Sequence, residues 1–77
     1  MDPRTEQAVG GKLVWRRPDG TPIACHEKIK VMNQNLDELR QMTQDALEDA
    51  LLMGASEAQV REVLHRLVDE LANPYGG

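Results

Sequence analysis

Cys25-His26, with Lys28 two residues further on, is where a thiol, an imidazole and a cation stand together in this chain of 77 residues. A thiol near a helix N-terminus loses its proton more readily, and a neighbouring lysine adds to the effect. Nucleophilic catalysis also requires a base within reach of the sulfur and a group to orient that base. His26 follows Cys25 directly, so on a helix its side chain projects about 100° away from the thiol. Cys25 is therefore read as a small residue on an apolar helix face, the usual place for an unpaired cysteine.

Metal chemistry is served no better. Cys25, His26 and His65 fit no standard zinc spacing. His65 has Glu62 three positions before it and Asp69 four after, a pattern of surface ion pairing. Only a site shared between two chains would gather enough ligands. The carboxylates Asp37-Glu38, Asp45, Glu48-Asp49 and Asp69-Glu70 fall mostly outside the apolar positions. Acid–base work needs such groups buried or crowded in a cleft, which two helices do not make. No phosphate loop, nucleophile elbow or glycine-rich cofactor turn occurs. The sequence predicts no catalytic residue, no cofactor and no metal ligand.

What positions these residues is a helical pattern of unusual regularity. Cys25, Ile29, Met32, Leu36, Leu39, Thr43, Ala46, Ala50 and Met53 alternate four- and three-residue steps without a break. That is a heptad seam, and no proline or glycine interrupts it, so one helix is predicted over residues 25–53. Gly54 suits the left-handed position after a helix. Ser56 and Gln59 then form a capping box for a second helix over 56–72, with Val60, Val63, Leu64, Leu67, Val68 and Leu71 on one face. So short a connection implies an antiparallel helical hairpin.

Ahead of the hairpin, residues 12–24 form an extended arm or β-hairpin. Leu13, Val14 and Trp15 favour a strand, and Pro18 with Asp19-Gly20 signals a turn. Pro22 belongs on an edge because it cannot donate to a ladder. The competing assignment makes Thr21 a helix N-cap followed by Pro22. Residues 1–11 are expected to be a disordered tail, and residues 73–77 a C-terminal tail begun by Asn73-Pro74.

The two helices differ in length. At 1.5 Å per residue the first spans about 43 Å and the second about 24 Å. Folded back, the second reaches only to about Leu39, which leaves Cys25, Ile29, Met32 and Leu36 in need of cover. A chain this short buries only about 60% of its unfolded surface, and one cysteine allows no internal disulfide. The expected remedy is self-association, a homodimer pairing two hairpins into a four-helix bundle. Its interface would draw on Trp15, Ile23, Cys25, Ile29, Met32, Leu36, Leu39, Val60, Leu64 and Leu67. Alternatively, or in addition, the arm folds over its own helix.

Charge narrows the partners. The net charge is −4, yet residues 1–30 carry six Lys/Arg against four Asp/Glu, whereas residues 31–77 carry three against nine. Lys12, Arg16, Arg17, Lys28 and Lys30 make a basic arm on an acidic body. Nucleic-acid binders owe their affinity to neutralised phosphates, so this balance disfavours them. No secretory signal and no run of about 20 apolar residues is present, so a cytoplasmic protein without membrane contact is expected. Mainly α-helical architecture and an interaction or adaptor role, as a homodimer docking an unidentified protein partner, are the expectations. A regulator touching nucleic acid through the basic arm, and a metal- or redox-responsive dimer, are the alternatives.

Overall fold

The computed structural model describes residues 13–76. The tail assigned to 1–11 lies outside them, as do Lys12 and Gly77. The described residues contain two helices and no strand, so the fold is mainly helical.

The first helix, α1, runs His26–Leu52 over 27 residues. Cys25 stands just before it as the cap, and its carbonyl accepts the first helical bond from the Ile29 N–H at 3.0 Å. The helix lasts because no proline or glycine interrupts it. It ends where Gly54 takes φ +96°. There the Gly54 N–H donates to the Leu51 carbonyl at 3.1 Å, and the Ala55 N–H to Ala50 at 2.9 Å. These are the two bonds of a Schellman motif, and they satisfy carbonyls that the helix end would leave open.

The second helix, α2, runs Glu57–Asp69 over 13 residues. Ser56 is extended and accepts the Gln59 N–H on its hydroxyl at 3.2 Å, the forward half of the expected capping box. The helix stops three residues short of Ala72. Asn73 precedes Pro74 and is pushed out of the helical region, so the chain unwinds ahead of it. Asn73 instead closes a local turn, its Oδ1 accepting the Tyr75 N–H at 2.9 Å.

The arm is a tight turn with a single antiparallel bridge, Arg16 to Pro22, and not a β-hairpin. Gly20 donates to the Arg17 carbonyl at 2.9 Å and takes φ +92°. Arg17 then donates to Thr21, and Ile23 to Trp15, both at 2.8 Å. Pro22 thus faces Arg16 in a non-hydrogen-bonded pair, where its missing N–H costs nothing. The helix-cap alternative at Thr21 does not occur.

The chain divides into two units, Met1–Met42 and Thr43–Gly77. In the first, the half-buried positions are Trp15 and Ile23 of the arm with Ile29, Met32, Asn33 and Leu36 of α1. In the second they are Thr43, Leu47 and Ala50 of α1 with Val60 and Leu64 of α2, as a helical hairpin requires. No described residue is fully buried.

Candidate functional site

In the first unit the arm is held on its own helix. The Trp15 Nε1–H donates to Asn33 Oδ1 at 2.8 Å, in a partly buried setting. A buried indole N–H needs such a partner, and the asparagine supplies it without breaking the helix. Ile23 lines an open apolar groove with Val31, Met32 and the side chains of Glu27 and Lys28. Ile29, Met32 and Leu36 are half-buried in this unit. Asn33 is the residue that sequence reasoning passed over. Its one signal was position: it follows Ile29 by four, on the edge of the seam.

The two arginines of the arm are exposed, and each is folded back on the turn. Arg16 Nη1 donates to the Gly20 carbonyl at 2.9 Å, and Arg17 Nη1 to the Pro22 carbonyl at 2.8 Å. Inside the turn, Asp19 Oδ1 accepts from the Thr21 hydroxyl at 2.7 Å and the Thr21 N–H at 2.9 Å. Both bonds favour the ionised carboxylate, the hydroxyl's most, and hold Asp19 below its usual pKa. Lys28 and Lys30 are exposed on α1.

Cys25 is exposed at the cap of α1. It sits one turn before Ile29, whose N–H donates to the Cys25 carbonyl. The Lys28 backbone N–H, against a smaller opposing effect of desolvation and with help from the Glu27 N–H and the Lys28 charge, holds the thiol below its usual pKa. Both N–H groups are donors that no carbonyl uses at a helix start.

The remaining expected interface residues divide by exposure. Trp15, Ile23, Ile29, Met32, Leu36, Val60 and Leu64 are half-buried within the chain, whereas Leu39 is 54% and Leu67 52% exposed. Met42 and Met53 lie open as well, at 70% and 87%. Among the described residues, these positions present apolar surface beside exposed charged side chains.

No protein-family model, curated protein or solved structure matches the chain.

Among the described residues no helix is long and apolar enough to cross a membrane. No three His, Cys, Asp or Glu side chains among them come together as a metal-holding group.

Proposed function

We propose that the chain is a small non-enzymatic interaction or adaptor protein of the cytoplasm, working as a homodimer that docks a further protein. One observation carries the reading: among the described residues none is fully buried, although 40% of the sequence is apolar. A folded domain of ordinary stability hides apolar surface from water, because that transfer is its main source of free energy. Here Leu39, Met42, Val63, Leu67 and Val68 are all at least half exposed. Contiguous apolar faces of this kind mark places where another chain lies.

Two hairpins joined into a four-helix bundle would cover such faces with the packing that amphipathic helices favour. The nucleic-acid alternative is weakened by Arg16 and Arg17, whose guanidinium groups already bond carbonyls of their own turn. Sedimentation equilibrium across a wide concentration range tests the proposal. A mass of twice 8.6 kDa at micromolar concentration is expected. A mass of 8.6 kDa throughout, with the chain fully folded, would sink it.

A further inference from the structure

We infer that the C-terminal end of α1 docks a basic amphipathic helix of another protein, seated on Leu51 and Leu52 with a lysine or arginine against Glu48. The inference rests on the docking role proposed above and gives the chemistry of the partner. The feature lies wholly within the Thr43–Gly77 unit. There Glu48, Leu51 and Leu52 line an open groove of about 340 Å³. Leu51 is 42% exposed and Leu52 87%. Leucine in water is a cost that the apolar face of a partner would remove.

Charge names the occupant. This unit carries seven Asp/Glu against two arginines. Both arginines are already held within their own helix, Arg61 by Glu57 and Arg66 by Glu62, each at 2.9 Å. Glu48 on the groove wall and Asp49 beside it make no ion pair among the described residues. No basic residue stands in the last turn of α1. The open carbonyls of a helix end carry partial negative charge and favour a cation there. Carboxylates at that end deepen the negative potential, which a lysine or arginine brought from outside would offset. The phosphates of a nucleic acid or an anionic lipid surface would meet like charge instead. A lone metal cation would leave the leucines uncovered. An amphipathic helix supplies both chemistries at three- and four-residue spacing, the spacing that separates Glu48 from Leu51 and Leu52.

Fluorescence anisotropy tests this on the full chain at low ionic strength, with a labelled amphipathic peptide of leucine and lysine and its leucine–glutamine counterpart. The lysine peptide should bind about tenfold more tightly than the glutamine one, and added salt should erase the difference. E48K should weaken the lysine peptide about tenfold. E38K, the same change of net charge in the Met1–Met42 unit, should leave it nearly unchanged. E48K should also raise the urea midpoint, because it sets a cation near the C-terminal end of α1. Weaker binding by a more stable chain is an outcome that misfolding does not produce. L52Q, at a residue that stands in water, should weaken both peptides about fivefold with the urea midpoint unchanged. Equal binding of the two peptides overturns the basic partner and leaves the docking role standing. Binding of neither removes the docking role as well. Equal effects of E48K and E38K, or none from L52Q, overturn the site. If E48K or L52Q shifts the mass of the chain alone in sedimentation, a second copy occupies the groove and the inference falls. A monomer that binds the lysine peptide through Glu48 fails only the dimer.

Discussion

The Trp15 indole donates to Asn33 Oδ1 at 2.8 Å across 18 positions of sequence. The bond ties an arm with one backbone bridge to a helix that needs no help to form. Asn33→Ala removes the acceptor and leaves the indole N–H to find water. The expected cost is about 1 kcal/mol for a partly buried bond. Trp15 is the only tryptophan, so its emission reports the arm alone. Red-shifted emission and easier quenching by acrylamide, with helical circular dichroism unchanged, are expected. Emission identical to the parent would mean that other contacts hold the arm.

What could be read in advance was local. Gly54 and Ser56 act on backbone groups within five residues of themselves, so the end of α1 and the start of α2 follow from residue type. The heptad steps likewise place Ile29, Met32 and Leu36 on one half-buried face. The Trp15–Asn33 bond had no local signal, because it depends on how the turn at Gly20 redirects the arm. That Cys25 stands just before α1 was not legible either, because periodicity counts positions and cannot register that the first of them caps the helix. For the candidate interface the apolar positions were legible. Their division into half-buried and exposed needed the arm and α2 in place.

Gly54 should be the least replaceable residue of the inter-helix turn. Its φ of +96° lies where a side chain is strained, although a methyl group there would touch nothing within 4 Å. Gly54→Ala is therefore expected to cost about 1 kcal/mol through the backbone alone. Ser56→Ala, which removes the hydroxyl that receives the Gln59 N–H, should cost about the same. Urea unfolding followed by circular dichroism measures both. A Gly54→Ala variant as stable as the parent would show that the left-handed turn is not required.

Cys25 should react at lower pH in the folded chain than in the unfolded one. The Lys28 and Glu27 backbone N–H groups favour its thiolate, and they are aligned only when α1 is formed. The folded pKa is depressed, so this contribution to stability is present above the unfolded pKa and disappears as pH falls through the folded one. Iodoacetamide alkylation across pH, native against urea-denatured, reads the difference directly. The native midpoint should lie below the denatured midpoint, and Pro substituted for Glu27, which removes one donor, should move it back up. Coincident midpoints would mean that the sulfur does not engage the helix start.

Acid should loosen the arm before it affects the helices. Asp19 is held ionised by the Thr21 hydroxyl and N–H, so its folded pKa lies below its unfolded one. The sign follows from that order: the turn gains from Asp19 above the unfolded pKa, and loses the gain as pH falls through the folded value. Because the carboxylate is solvent-exposed, the effect is confined to the turn. Trp15 quenching by acrylamide should rise over that acidic range while circular dichroism at 222 nm stays level. Asp19→Asn keeps an acceptor oxygen without the charge, so its quenching should be higher at neutral pH and nearly flat with acid. If the variant and the parent respond to acid alike, another carboxylate governs the arm.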